Sequence, residues 1–461
     1  MRKADSLVGT RGLTGNIRSF EGHVQFSQGN VFVTSDKAIQ YLDENRAELV
    51  GNVVVTQEDM VLKSPKIDWE GNSGLVYAVQ GVVVKDNNQL LKAKKGIYST
   101  RTYIADFEED VLMTDDTVNI NCDKIQYHRK TRKSYLWGNV IVKDDSSALE
   151  ADYAEYHRIT REAYAYGNVV AYGLFTRVYL SGDTIFTIPE KQYMVARGKP
   201  VMNQVDSVEK KGKHYIMDDK KKITMLDSTW FEYDTTSITA KTMEQIKSGE
   251  EVYLFRDSVR IARKNLCASS ENASFFKTKD YIVLQGNPVV WYDSTQLHSD
   301  SIVIWMEKNK LKELHSYGNS LAATKEDSLN PERINQIIGN EIVIRFAEDT
   351  IRAVFSWGNA KSLYFMTGEN GSEGAARNSS DSIYIEFQKG ETENIHWLGG
   401  IQGEFFPEVI IASPKDYYLP GYRWNDSKPV FVLSNFFIKL KAKEDALRQK
   451  RDETDTEDDE Y

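Results

Sequence analysis

The residue types best suited to chemistry cluster in the stretch 138–157, GNVIVKDDSSALEADYAEYH. Its five carboxylates and one imidazole are Asp144, Asp145, Glu150, Asp152, Glu155 and His157. Clustered carboxylates can act as general acid and base, or they can bind a hard cation such as calcium. Whether these groups meet in space depends on the elements that carry them.

Other chemical motifs give no support for a catalytic or metal site. The seven histidines show no HExxH or other zinc-ligand spacing, and no G-x-S-x-G elbow or phosphate-binding loop is present. An enzyme would need an acid, a base and an arginine or lysine converging at one unit of the chain, and the sequence shows no such exception. The sequence therefore predicts no catalytic residue, no metal and no cofactor.

Composition indicates a folded, strand-rich chain. The 461 residues suffice for about three ordinary domains or for one long repetitive body. Tyrosine (25) and phenylalanine (19) are plentiful while proline (9) is scarce. Much of the net charge of −10 falls on the end RDETDTEDDEY (451–461), which is typical of a solvated tail. The sequence contains no basic stripe with interleaved aromatic residues, so it does not predict a nucleic-acid partner.

The chain repeats, and this changes how each motif is interpreted. One column, which we call the marker column, recurs at intervals of 29, 29, 29, 29 and 31 residues: Asp36, Pro65, Lys94, Asp123, Asp152 and Asp183. A second set recurs at intervals of 31, 40 and 41: Ser269, Asp300, Asn340 and Asp381. A weaker unit around Ser228 fills the gap, which gives roughly eleven repeats.

Neighbouring columns predict short strands with a bend at the marker. Residues three places before the marker are mostly aliphatic, those one place before are small, and those two places after are mostly Ile or Ala. The small residue one place before the marker and the Ile or Ala two places after it are three residues apart, an odd number. In a regular strand they would face opposite sides, so the pattern predicts a slip in side-chain alternation at the marker, as at a corner or bulge. Gly-Asn followed by alternating valines, as in GNVVV (51–55), predicts turns between strands. The polar insertions 324–336 and 367–380 predict loops.

Stacked repeats offer a second interpretation of the marker aspartates, because aligned acids can bind calcium. Calcium-binding β-rolls carry a glycine-rich GGxGxDx repeat that is missing here, and Pro65 and Lys94 interrupt the column. Corner positions that face water are favoured instead. Cys122 falls in the small-residue column, which favours core packing over a disulfide with Cys267.

The fold class predicted is all-β, an elongated open β-jelly-roll or β-solenoid with a short C-terminal helix and an acidic tail. The predicted segments are a lead-in (1–19), a regular stack (20–200), an irregular repeat or break (201–256), a second stack with insertions (257–438), and the helix and tail (439–461). No run of eighteen apolar residues indicates a transmembrane helix, and the start MRKADSLVGTRGL lacks the apolar core of a signal peptide.

The joint recurrence of these motifs resembles the OstA/LptA-like family of lipopolysaccharide-transport proteins. The best copy is GNVIVKDDSSALEADYAEYHRITREAYAYGNVVAYG (138–173), and the resemblance covers about 20–200 well and 257–405 more loosely. It implies a non-enzymatic bridge whose apolar groove carries the acyl chains of lipid A across the periplasm. The implied partners are lipopolysaccharide, other OstA-like domains stacked end to end, and the outer-membrane translocon. The implied location is the periplasm, with a leader absent from this sequence.

The candidate groove residues are the inward-facing aliphatic positions Val53, Val55, Ile67, Val82, Val84, Ile125, Val140, Val142, Ala154 and Val169. For each of them a closed core is the alternative to an open slot. Two other functions stay open: a β-solenoid polysaccharide lyase or hydrolase, and a surface or scaffold repeat protein that binds no ligand. The chain is much longer than a single-domain bridge protein, and its later repeats are enlarged.

Overall fold

The computed structural model describes residues 2–12, 15–115, 117–173, 178–217, 223–307, 310–325, 330–348, 350–368, 371–388, 391–435 and 437–438. Almost all of their regular structure is β-strand, with three 3₁₀ turns at Pro189–Lys191, Glu408–Ile410 and Pro414–Tyr417. The all-β prediction is confirmed. The helix and acidic tail predicted at 439–461 lie outside the described residues.

The chain divides into two compact units. Unit 1 comprises residues 1–176 and 181–190, and unit 2 comprises residues 177–180 and 191–461. The strands of unit 1, with β15 assigned here by most of its residues, are β1 (Ser6–Gly12), β2 (Gly15–Gln28), β3 (Val31–Tyr41), β4 (Arg46–Gln57), β5 (Met60–Glu70), β6 (Leu75–Ala78), β7 (Val82–Asp86), β8 (Gln89–Ala93), β9 (Lys95–Ser99), β10 (Ile104–Asp115), β11 (Val118–His128), β12 (Lys133–Lys143), β13 (Ser147–His157), β14 (Ala163–Gly173) and β15 (Val178–Ile188).

Unit 2 continues the same construction with longer strands. They are β16 (Tyr193–Arg197), β17 (Val201–Met217), β18 (Ile223–Thr239), β19 (Thr242–Ile246), β20 (Val252–Ala262), β21 (Leu266–Phe276), β22 (Tyr281–Gln285), β23 (Val289–Tyr292), β24 (Thr295–His298), β25 (Ser301–Glu307), β26 (Lys310–Lys325), β27 (Ile334–Ala347), β28 (Thr350–Gly368), β29 (Gly371–Gln388), β30 (Glu391–Leu398) and β31 (Gln402–Pro407). Of the insertion 367–380, predicted to be a loop, residues 367–368 instead end β28 and residues 371–380 begin β29, which pairs with β28 and β31. That prediction was wrong because cross-strand pairing outweighs the low strand propensity of its glycines.

The long strands pair antiparallel with their neighbours in the chain and bend in the middle, as β11 and β12 do. Elsewhere the chain is divided into two short strands at the bend, so that β5 pairs with both β6 and β7. Between β4 and β5 the register shifts from Val50 to Val53, across Gly51 and Asn52. Both bridging residues have left-handed backbones, with φ of 78° and 45°. The Gly-Asn pairs therefore bend a strand from within, and the prediction that they are turns between strands was wrong. Two successive left-handed residues insert a bulge without reversing the chain. The turns between strands lie at 42–45 and 58–59 instead.

The marker residues lie at this bend, as the side-chain slip predicted. The Gly-Asn pairs that bend a strand lie opposite a marker, and the Asn52 side-chain amide donates a hydrogen bond to the Asp36 carboxylate at 2.9 Å. The same bond joins Asn139 to Asp123 at 2.9 Å, Asn168 to Asp152 at 2.8 Å and Asn319 to Asp300 at 3.0 Å. These aspartates are exposed. The corner interpretation is confirmed, and each carboxylate satisfies an amide of the neighbouring bend.

The remaining acids of the stretch 138–157 have local roles. Asp144 accepts hydrogen bonds from the backbone N–H groups of Ser146 and Ser147, at 2.7 and 2.6 Å, and so closes the loop between β12 and β13. Glu150 accepts a bond from the Tyr172 hydroxyl at 2.9 Å. The acids serve separate loop, surface and corner contacts, not one catalytic cluster.

The two halves of each bent strand form two facing layers, which we call limbs. In β12, residues 140–143 belong to limb A and residues 133–137 to limb B; in β11, residues 118–122 belong to limb A and 124–128 to limb B. Side chains of both limbs meet in one core, whose buried members include Val53, Leu62, Val82, Ile67, Ile125 and Leu136. At the end away from the bend, the hairpin turns of limb A and limb B face each other. We call this end the mouth.

Cys122 packs in the core of unit 1, as its column predicted, and Cys267 is buried in unit 2. Both thiols are free. Burial raises the pKa of the Cys122 thiol to about 12, so that it stays protonated and unreactive at neutral pH.

Unit 2 carries a feature that the repeats do not predict. Residues 408–435, which we call the strap, run across the outer face of limb A. The strap contacts one cross-strand row, formed by Asn203, Ser237, Cys267, Trp291, Gln296, Gln336 and Leu363. Its hydrogen bonds include Asn203 to the Val432 carbonyl, Trp291 to the Asn425 carbonyl and the Leu419 N–H to Gln336. This row of limb A is therefore buried in unit 2.

Candidate functional site

The ten candidate groove residues all face the space between the limbs of unit 1, but they differ in depth. Those nearest the bend are buried: Val53, Ile67, Val82, Ile125, Val140, Ala154 and Val169. Those one step nearer the mouth, Val55, Val84 and Val142, pack against this core and are only partly buried. The structure thus separates a closed core at the bend from accessible apolar positions toward the mouth.

A small apolar cavity lies between the limbs of unit 1. Its volume is about 50 Å³. The lining is Met60, Leu62, Val84, Asp86, Gln89, Leu91, Tyr98, Tyr103, Ala105, Phe107, Met113, Tyr127 and Arg129. Ligand sites usually measure some hundreds of Å³ (roughly 300 or more), so this interior is nearly closed as it stands.

Oppositely charged side chains bridge the mouth of unit 1. Arg129, in the hairpin turn after β11, donates to Glu58 at 3.1 Å, and Glu58 lies at the limb A turn after β4. Arg132 of the same limb B turn lies 3.5 Å from Asp86 at the end of β7. These ion pairs join turns that lie 46 and 71 residues apart in sequence. They connect limb A to limb B directly.

Arg158, in the turn after β13, extends this bridge. Its guanidinium lies 3.7 Å from Asp86 and 3.7 Å from Asp115. The structure therefore brings acids and arginines together at one place, which the sequence analysis did not anticipate. The six side chains come from hairpin turns and strand ends in several repeats, so spacing along the chain gives no sign of their meeting.

A polar cavity of about 330 Å³ opens beside this bridge. It is lined by Asn87, Asn88, Asp115, Thr117, Val118, Tyr156, Arg158 and Arg161. Val118 and Tyr156 also pack against the core of unit 1. The cavity is thus lined by charged and polar side chains together with two residues that contact the core.

A larger apolar cavity, of about 390 Å³, lies in unit 2. Its apolar lining includes Ile337, Ile344, Ile351, Val354, Ile385, Phe387 and Ile395. None of these residues is among the sequence-derived candidates, because the later repeats are irregular and were not used to select them. The alternation in GNEIVIRF and SDSIYIEF was the available signal.

The described residues include no group of three or more His, Cys, Asp and Glu side chains placed to hold a metal ion. A separate finding concerns helices: within the described part of the chain, none is long and apolar enough to cross a membrane.

Comparison with known families identifies the repeats. The model of the family described as "LptA/(LptD N-terminal domain) LPS transport protein" matches residues 13–162 and, again, residues 119–310. Together the two matches cover more than half of the chain. The chain belongs to this family. The predicted resemblance is confirmed, and it places the chain among lipopolysaccharide-transport components of the periplasm and outer membrane, a generally non-enzymatic group.

Among solved structures, the chain is similar to LptH of Pseudomonas aeruginosa, described as the LptA homologous periplasmic component of its lipopolysaccharide-transport device. The identity is 17%, the TM-score is 0.22, and the match covers 28% of this chain and 80% of LptH. Comparison with curated proteins gives no match.

Proposed function

We propose that this LptA/LptD-family chain carries lipopolysaccharide without chemical change, holding the acyl chains of lipid A between its limbs. The observation that carries the proposal is the cavity of unit 2. At about 390 Å³ it falls in the range of ligand sites, and aliphatic side chains from both limbs line it. An acyl chain placed there would remove apolar surface from water, at about 25 cal/mol per Å².

The partly buried valines toward the mouth of unit 1 extend the same proposal. Val55, Val84 and Val142 are the groove candidates that a ligand could reach without unpacking the bend. The buried candidates nearest the bend would then form the base of the groove and would not contact the ligand.

The bridging role rests on the outermost strands. In β1, Leu7 and Val8 are exposed, and in the last strands Leu398 and Phe405 are exposed. Exposed strands with apolar side chains favour pairing with a further strand. We propose that these strands stack with other OstA-like domains and lead lipopolysaccharide to the outer-membrane translocon.

Site-specific photo-crosslinking to lipopolysaccharide tests the carrier. The photoreactive residue is placed at Ile395 in the cavity of unit 2 and at Val142 in unit 1. The matched control is Ile141, adjacent to Val142 but on the outer face of limb A. Adducts at Ile395 and Val142 without adducts at Ile141 are expected. Absence of adducts at both inward positions would reject the carrier and favour a scaffold that binds no ligand.

A polysaccharide-active enzyme is the second candidate, because Asp86 and Asp115 converge with arginines at the mouth of unit 1. Membership of a transport family favours the carrier. Incubation with purified polysaccharides, followed by assay of new reducing ends, separates the two. Release that is lost in Asp86→Asn with Asp115→Asn would establish the enzyme.

A further inference from the structure

We infer that the charged bridge of unit 1 is an exchangeable closure, which opens when the phosphate headgroup of an amphiphile replaces the carboxylates on its arginines. This inference rests on the proposed carrier function and adds the regulation of its mouth. Limb A contributes Glu58, Asp86 and Asp115, and limb B contributes Arg129, Arg132 and Arg158.

The bridge lies directly over apolar space. Asp86 and Arg129 line the cavity of about 50 Å³ together with Leu62, Val84 and Phe107. The cavity is too small for an acyl chain, so the limbs must separate before a chain can enter. Separation of the limbs requires these ion pairs to break.

The geometry of the pairs suits exchange. Arg132 and Arg158 lie 3.5 to 3.7 Å from their carboxylates, whereas charge-assisted hydrogen bonds measure about 2.7–2.9 Å. In unit 2, Nη1 of Arg333 donates to both carboxylate oxygens of Glu408, at 2.7 and 2.9 Å. Arg132 and Arg158 therefore gain little from the carboxylates they face, whereas Arg129 keeps a hydrogen bond of 3.1 Å to Glu58. A phosphate offers three oxygens and can bind such a fork at full strength.

The polar cavity beside the bridge provides the space for a headgroup. Arg158 and Arg161 line this cavity of about 330 Å³ together with Val118 and Tyr156, which also pack against the core of unit 1. A phosphate bound to these arginines would therefore lie next to residues that contact the core. This arrangement fits a phosphorylated amphiphile better than a free anion.

The test uses the full chain with an environment-sensitive fluorophore on Val84→Cys, and a second label on Ile351→Cys in unit 2. The probes are a lysophosphatidic acid, the monoacylglycerol of the same chain length and inorganic phosphate. Wild type should bind the phosphorylated probe at least tenfold more tightly at Val84. Arg132→Gln with Arg158→Gln should abolish this preference, and Asp86→Asn with Asp115→Asn should speed entry of both amphiphiles several-fold. The control Lys124→Gln, from the outer pair with Glu108, should change neither.

Salt gives a measurement that needs no substitution in the bridge. Raising ionic strength screens the pair of Arg129 and Glu58, whose carboxylate is exposed, so entry of monoacylglycerol at Val84 should accelerate in the otherwise native chain and not in Arg129→Gln. An unchanged phosphate preference in Arg132→Gln with Arg158→Gln overturns the inference. Inorganic phosphate that binds as tightly as the amphiphile also overturns it, because the site would then be a plain anion site. Binding at Ile351 without entry at Val84 rejects the closure alone, whereas no binding at either position rejects the carrier as well.

Discussion

Units 1 and 2 share the same bent strands but protect their apolar surfaces in different places. Unit 1 closes its mouth with ion pairs over a cavity of about 50 Å³, while unit 2 keeps an apolar cavity of about 390 Å³. The outer face of limb A shows the opposite contrast between the units. The cross-strand row on this face is largely exposed to solvent in unit 1, where it includes Lys63, Lys92 and Asn121, and the corresponding row of unit 2 is buried beneath the strap. The repeat therefore determines the bend and the core in both units. The limb ends and the outer faces differ between the units.

Removal of the strap should break this comparison most strongly. A chain that ends at Pro407 exposes Trp291, Leu363 and Phe365, which are buried in the full chain. Each large apolar side chain contributes about 1.5–3 kcal/mol when buried, so unit 2 should lose more than about 5 kcal/mol of its free energy of unfolding. Hydrogen exchange should show loss of protection in unit 2 and retention in unit 1.

The matched control for strap removal is a chain that ends at Ile438, which keeps the strap and should behave as the full chain. Equal protection of unit 2 in both truncations would show that the strap does not stabilise it.

Acid should destabilise unit 2 selectively through His298. This buried imidazole accepts a hydrogen bond from Arg423 of the strap at 3.3 Å. Burial, together with the Arg423 charge, lowers the pKa of His298 from 6.5 to about 4. In the unfolded chain the His298 imidazole is therefore protonated below pH 6.5, whereas in the folded chain it stays neutral down to about pH 4. Stability from this group is complete above pH 6.5 and falls by up to about 1.4 kcal/mol per pH unit on acidification to pH 4.

Denaturant unfolding of unit 2 at pH 7 and pH 5 measures this effect, and His298→Gln should reduce the difference between the two pH values. If the variant keeps the full difference, another group is responsible.

The bends should respond alike in both units. Gly138→Ala in unit 1 and Gly318→Ala in unit 2 each place a Cβ against a marker carboxylate, that of Asp123 or Asp300, at φ of 70° and 75°. Each should cost about 1–3 kcal/mol in the free energy of unfolding. The control Gly9→Ala, whose new Cβ meets no atom within 4 Å, should be neutral. A cost confined to one unit would contradict a shared corner.

The smallest effect sharpens the role of single strap contacts. Trp291→Phe keeps most of the buried ring but removes the indole N–H that donates to the Asn425 carbonyl at 3.1 Å. A loss of about 1 kcal/mol in the stability of unit 2 is expected, since one neutral hydrogen bond contributes about that much. Thermal or denaturant unfolding measures it. A loss as large as that from strap removal would mean that the strap detaches as a whole.

Much of the fold followed from the repeat. The columns around the marker predicted the slip at Asp152, the water-facing corner and the buried position of Cys122, because period-two alternation reports directly which face of a strand is buried. The Gly-Asn pairs were misassigned as turns between strands. Their left-handed backbones suit a hairpin and a bulge equally, and only the register with the neighbouring strand distinguishes the two.

The site was predicted less completely. The inward valines were found because they recur in register, whereas the arginines and acids of the mouth were missed because they lie at strand ends and turns far apart in the chain. The cavity of unit 2 was missed because the candidates were taken from the regular first repeats alone, although the markers Asn340 and Asp381 lie four residues before Ile344 and Ile385.

The sequence by itself determined the all-β class, the bend at each marker, the inward-facing residues and the family, since these depend on local alternation repeated many times. Only the tertiary structure decided which interior is closed and which is open. That outcome depends on contacts between limb ends and with the strap, which join residues far apart in the chain and follow no repeat.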